Sequence, residues 1–195
     1  MMTLQEITES LRNVLSSKRF IHSESVMKTA INLALKYNLD ESKAALAGIL
    51  HDCARDIKGE ELFTKCKSFG IELDCITKLQ PELLHAPLGA KIAASIYDIV
   101  DEEVLDAIHY HTTGYKDMSL LTKVIFIADY IEPKRNFSGV EDVRKLAYND
   151  IDSALILALE KTIRHVVSRG LLVHPDTISA RNNIIIWNSQ NCKHL

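Results

Sequence analysis

Asp52 and Asp129 each end a run of apolar residues, Asp52 after Ala44-Ala45-Leu46-Ala47-Gly48-Ile49-Leu50-His51 and Asp129 after Val124-Ile125-Phe126-Ile127-Ala128. A carboxylate buried without a partner is costly, so each needs a hydrogen bond or a cation. A His-Asp dipeptide alone could be a hydrogen-bonded pair at a helix end, and a lone core aspartate is usually a cap. Two such aspartates make one shared cation the more economical reading. His51 sits beside Asp52, and His22 lies on the preceding helix with Val26 four residues on along the same face. Imidazole and carboxylate ligands without thiolate favour Fe, Mn, Co or Zn at a reactive centre over a structural, cysteine-rich zinc site.

The elements that must hold these residues read as helices. Thr3 and Glu6 form a capping-box signature, with Leu4, Ile7, Leu11 and Val14 on one face. A second helix spans about Lys18 to Tyr37, and a third runs through Ala44–Ala54, apolar almost all round and so buried on most sides. Gly59 to Phe69 reads as a surface helix stopped by Gly70. Pro81 and Pro87 bracket a break at Glu82–Ala86, after which Leu88–Ile99 resumes. Asp101 caps Glu102–His111, and Ser119 caps Leu120–Ile131, which stops at Pro133. Val140–Ala147 and Ile151–Arg169 follow, and a last segment starts near Pro175. Asn183–Trp187 alone is strand-like, without a pairing partner.

The expectation is one all-α domain over residues 1–195, with a core at about 18–133 and C-terminal helices at about 140–195 packed on it. The net charge of -3 argues against the broad basic surface of a nonspecific nucleic-acid binder, but leaves room for a basic phosphate pocket. Cys53, Cys66, Cys75 and Cys192 show no CxxC pair and read as reduced thiols of a cytoplasmic protein. The N-terminal residues hold no continuous apolar stretch, and Ala154–Leu159 and Ile184–Trp187 are too short to span a bilayer, so neither a signal peptide nor a membrane partner is expected.

Beyond these, whole words match. Arg19-Phe20-Ile21-His22-Ser23, Gly48-Ile49-Leu50-His51-Asp52, Pro81-Glu82-Leu83-Leu84-His85-Ala86-Pro87, Tyr110-His111-Thr112-Thr113-Gly114, Ala128-Asp129-Tyr130-Ile131-Glu132-Pro133 and His174-Pro175-Asp176-Thr177 occur in this order. The chain thereby resembles the YqeK subfamily of the HD superfamily of metal phosphohydrolases, from about residue 18 to 182. The resemblance implies an HD-domain helical bundle and a symmetrical dinucleoside tetraphosphatase, which splits diadenosine tetraphosphate into two ADP. It also implies two metal ions, iron ahead of manganese or cobalt, with Asp52 bridging them. His22, His51 and Asp129 would complete one site, and His85 and His111 the other. His109 stands where the family usually has arginine. Two residues apart on a helix, it faces differently from His111, so it is expected at the substrate or behind a ligand. The family also has arginine after the Thr-Thr-Gly word, where this chain has Tyr115 and Lys116.

The chemistry expected is a two-metal-activated water attacking an inner phosphorus, with Asp52 and Asp129 orienting it. Arg55, one turn beyond the His-Asp pair, is the first candidate to stabilise charge on the transferring group. Arg135 follows, ahead of Lys134, because the family word there ends in arginine. Thr112, Thr113, Arg181 and Asn182 enter the substrate site by resemblance alone. His165 is expected on a polar or packing face, His174 at a turn, His194 in the tail, and Cys53 in the core. Tyr130 and Trp187 are candidates to stack on a base. Rival readings are an HD hydrolase of another nucleotide (a deoxynucleoside triphosphate, a guanosine polyphosphate or a nucleoside phosphate) and a metal-binding regulatory scaffold with little turnover. A homodimer is left open.

Overall fold

A computed structural model describes residues 2–191, and within them the chain forms eleven α-helices, one 3-10 turn and no strand. His194 and Cys192 lie outside the described residues. The helices are α1 (Leu4–Val14), α2 (Ser17–Lys36), α3 (Glu41–Leu50), α4 (Gly59–Ser68), α5 (Cys75–Leu79), α6 (His85–Ile96), α7 (Glu102–Tyr110), α8 (Leu120–Ile131), α9 (Val140–Ala147), α10 (Ile151–Ser168) and α11 (Pro175–Asn191).

Local chemistry sets most of their starts. Thr3 and Glu6 close a reciprocal capping box on α1, Asp40 accepts from Ser42 and Lys43 at α3, and Asp101 accepts from Glu103 and Val104 at α7. Ser119 caps α8, whose Leu121, Val124, Ile125, Phe126, Ile127 and Ala128 are buried. The core is built around α2, α3, α7 and α8, with α6 on α7. α10 packs on α8 and α9, and α11 on α10. Gly48 is the point of closest approach between α2 and α3, because a Cβ there would stand 2.8 Å from Met27 Cα. That approach brings the helix carrying His22 against the one that delivers His51. No described helix is long and apolar enough to cross a membrane.

Four expectations are corrected. α3 ends at Leu50, not Ala54; His51 to Asp56 form tight turns in which Cys53 N donates to Leu50 O and Arg55 N to Asp52 O. The break before α6 covers only Pro81–Leu84, as a 3-10 turn, and α6 begins at His85 with Pro87 in its first turn, where no N–H is needed. The same helix stops at Ile96 because Asp98 turns left-handed (φ 54) and Ile99 N bonds back to Ala93 O. Finally, Asn183–Trp187 is helical, part of α11. Its β-branched residues lack a strand to join, and Thr177, Ala180 and Ile184 are buried at helical spacing instead. α5, capped by Asp74, is absent from the sequence-based expectation.

Candidate metal centre

Four imidazoles and two carboxylates converge where the ends of α3, α7 and α8 meet the second turn of α2 and the first turn of α6. His22 comes from α2, His51 and Asp52 from the turn after α3, and His85 from the first residue of α6. His111 follows the last turn of α7, and Asp129 sits in the last turn of α8. The tight turn after Leu50 lets neighbouring His51 and Asp52 face one space, which a continuing α-helix would splay about 100° apart.

Asp52 divides its two oxygens between two groups. Oδ2 lies 3.7 Å from His22 Nε2 and 3.5 Å from His51 Nε2. Oδ1 lies 3.2 Å from His85 Nε2 and 3.7 Å from His111 Nε2. On the first side, Asp129 Oδ1 stands 3.0 Å from His22 Nε2 and 4.0 Å from His51 Nε2. Ligands about 2.1 Å from a common ion stand roughly 3.0 to 3.4 Å apart for right-angled to tetrahedral placement. The 3.0 and 3.2 Å spacings fall in that range, and the other four, from 3.5 to 4.0 Å, lie above it.

All four rings are fixed the same way. Nδ1 of His51 donates to Gly48 O at 2.8 Å, that of His111 to Ile108 O at 2.7 Å, and that of His85 to Glu82 O at 2.5 Å. His22 Nδ1 donates to Glu132 Oε1 at 3.3 Å, and Glu132 is itself held by Ser25 Oγ and the Lys134 N–H. Every Nε2 lone pair therefore faces the centre, the arrangement that orients imidazole ligands. His22 Nε2 and His51 Nε2 are buried without a hydrogen-bond partner; the former is close to Asp129 but not aligned to bond it. Orphaned buried nitrogens are costly unless something else satisfies them.

The acids and imidazoles of the centre shift one another. Burial by itself would raise the carboxyls of Asp52 and Asp129, yet the facing histidines outweigh it and hold both well below the usual range. Burial likewise opposes charge on His51, but Asp52 and then Asp129 raise its pKa above the ordinary value. His85 goes the other way, to about 4, because burial, and then the neighbouring His111, outweigh the raising effect of Asp52. Cys53 supplies no thiolate: burial and then Asp52 push its thiol up to about 12, and its Sγ contacts Gly89 O. Nitrogen and oxygen donors converging on the two Asp52 oxygens, with two orphaned imidazole nitrogens among them, fit divalent metal ions.

The remaining candidates separate. Arg135 pairs with Asp129 at 2.5 Å, and Arg55 reaches Glu82 O at 2.8 Å and the His85 ring at 3.1 Å. Thr112 Oγ1 stands 3.1 Å from His111 Nε2, whereas Thr113 Oγ1 donates to Gly114 O instead. His109 stacks on Tyr110 at 4.3 Å, outside the cluster. Arg181 is engaged by Glu160, fastening α11 to α10. His174 bonds Asp74, a structural link. Two residues escaped the sequence reading: Glu132, buried behind His22, and Arg19, whose Nη1 lies 2.5 Å from Asp52 Oδ2. Both sit inside the matched words, which was the only signal for them.

Fold and centre define an HD-domain protein. The family model described as "HD domain" matches residues 19–134, and the chain belongs to this family of metal-dependent hydrolases. It is 43% identical over 172 residues to a protein of Halalkalibacterium halodurans named symmetrical bis(5'-nucleosyl)-tetraphosphatase, covering 88% of this chain and 91% of that one. The Bacillus subtilis protein of the same name is 39% identical over 184 residues, covering 94% and 98%. A crystal structure from Clostridium acetobutylicum, titled a predicted HD superfamily hydrolase involved in NAD metabolism, matches with a TM-score of 0.91 and 45% identity, over 95% and 98% of the two chains.

Proposed function

We propose that this chain is a symmetrical dinucleoside tetraphosphatase that hydrolyses diadenosine tetraphosphate to two ADP, using two transition-metal ions, iron first. The observation that carries the reading is the division of Asp52, whose Oδ2 faces His22 and His51 while Oδ1 faces His85 and His111. His22, His51 and Asp129 would hold one ion with Asp52, and His85 and His111 the other. When bound, such a pair supplies charge neutralisation and a water acidic enough to react at neutral pH.

The chain's own residues do the rest. Glu132 and the three backbone carbonyls keep every Nδ1 protonated, so no ligand turns away during turnover. Arg19 and Arg135 sit on the two ligand aspartates and bring guanidinium groups to where phosphate oxygens would gather. Arg55, behind His85, adds a third cation, and Thr112 a hydroxyl beside His111. His109, Thr113 and Arg181 are engaged outside the cluster, by Tyr110, Gly114 and Glu160. Free Cys53, Cys66 and Cys75 support a reducing, cytoplasmic setting. The packing of α10 on α8 supports one domain for core and C-terminal helices.

Product analysis on the metal-loaded protein with diadenosine tetraphosphate tests the reading. ADP as the sole product is expected. AMP with ATP would overturn the symmetrical register, and no product with metal bound would overturn the substrate.

A further inference from the structure

Two large cavities open onto the centre, and Arg135 is the one residue lining both. The first, about 780 Å³, carries five cations, Lys18, Arg19, Lys58, Lys134 and Arg135, against the carboxylates of Asp56 and Glu132. Apart from the imidazole of His22, it is lined by no aromatic ring. The second, about 690 Å³, runs from His111 and Asp129 to α10. Phe126, Tyr130 and Phe137 wall it, and Lys161, Arg164 and His165 bring charge from α10. Tyr130 and Phe137 meet edge to face at 5.1 Å. A symmetrical substrate would thus meet two dissimilar surfaces, one suited to a base with its diphosphate and one suited to phosphate alone.

We propose that the chain grips only one nucleoside, in the α10 cavity, and therefore also hydrolyses nucleoside 5'-tetraphosphates to a nucleoside diphosphate and inorganic diphosphate. The inference rests on the symmetrical reading above and extends it. The bond broken is the same one, between the second and third phosphates. Water oxygen bonds to the second phosphorus from the nucleoside, the bridging oxygen leaves with the diphosphate, and the water's proton passes to solvent. The half held in the basic cavity needs phosphate oxygens, not a base. A smaller recess of about 320 Å³ shares Arg19 and Lys58 with the basic cavity and presents Phe63. A second base there would meet one aromatic ring where the α10 cavity offers three.

The test compares adenosine 5'-tetraphosphate with diadenosine tetraphosphate on the metal-loaded protein, beside calorimetric titration with ADP. Contacts that are not made contribute nothing to the transition state, so the two kcat/KM values are expected within about tenfold of each other. The titration is expected to show one ADP per chain. Tyr130→Ala, and Phe137→Ala at a more exposed position, should weaken ADP binding and raise KM for both substrates by about tenfold, as losing a stacking ring does. Phe63→Ala should change neither. Cleavage of the dinucleotide with adenosine tetraphosphate left intact would overturn the inference while the symmetrical reading stands. Two ADP per chain, or a rise in KM for the dinucleotide alone in Phe63→Ala, would do the same by seating a second base in the recess. If neither compound is cut by the metal-loaded protein, the symmetrical reading itself fails, and the inference with it.

Discussion

The imidazoles at the centre and the arginines around it are held in opposite ways. His51, His85 and His111 are buried, and each is tied through Nδ1 to a carbonyl three residues back in its own turn. Their orientation is a local consequence of helix ends. Arg19 and Arg135 are partly exposed, reach in on long side chains, and rest on the aspartates. The imidazoles take their places from the packed core, whereas the guanidinium groups at its edge, if the chain binds phosphate as proposed, would exchange a carboxylate for a phosphate without disturbing a helix.

The sharpest way to break this comparison is to remove its hinge. Asp52→Ala is expected to lose both metal ions and all measurable turnover, while His85→Ala loses mainly one ion. Elemental analysis of the purified proteins decides it, since equal metal content in wild type and both variants would refute the two-sided centre. Next comes the edge. Arg135→Ala should keep its metal yet lose about 10²-fold or more in kcat/KM, the usual effect of removing one preorganised donor. Loss of metal together with activity would move Arg135 into the centre. Glu132→Gln probes the support of His22, and should weaken metal binding or activity by about 10- to 100-fold with the fold intact. An unchanged metal affinity by chelator competition would show that His22 needs no such support.

The smallest effect concerns the helix that delivers His111. The Lys43 ammonium, then the N–H groups of Val104 and Glu103, hold the Asp101 carboxyl below its ordinary value of 3.8. A lowered folded-state pKa contributes stability above the ordinary value, lost as pH falls through the folded value. Asp101→Asn keeps the cap but not the ion pair. Its melting temperature should therefore lie slightly below that of wild type at neutral pH, with the gap closing below about pH 4. A gap that persists in acid would assign the effect to the cap instead.

Much of the centre was legible because apolar context makes a polar residue conspicuous. Asp52 and Asp129 stood out against Ala44–Leu50 and Val124–Ala128, and His22 followed from its helix face. His85 and His111 became candidates only through the matched words, because neither has an apolar run to betray it. Arg19 and Glu132 were invisible for the converse reason: a charged residue near a helix end is usually a solvated one. The strand-like reading of Asn183–Trp187 failed because β propensity acts only where a partner strand exists.

By itself, then, the chain's periodicity and capping residues determined an all-helical architecture and most helix starts, since those depend on neighbours three and four residues away. Tertiary structure alone decided that α3 ends one residue before His51, so that His51 and Asp52 turn into one space. It also decided which histidines converge and which, like His109, stack elsewhere. The same holds for the cavity that joins Tyr130 to Lys161 and Arg164. The convergence at the centre depends on contacts between residues 30 to 110 positions apart, for which local spacing carries no signal.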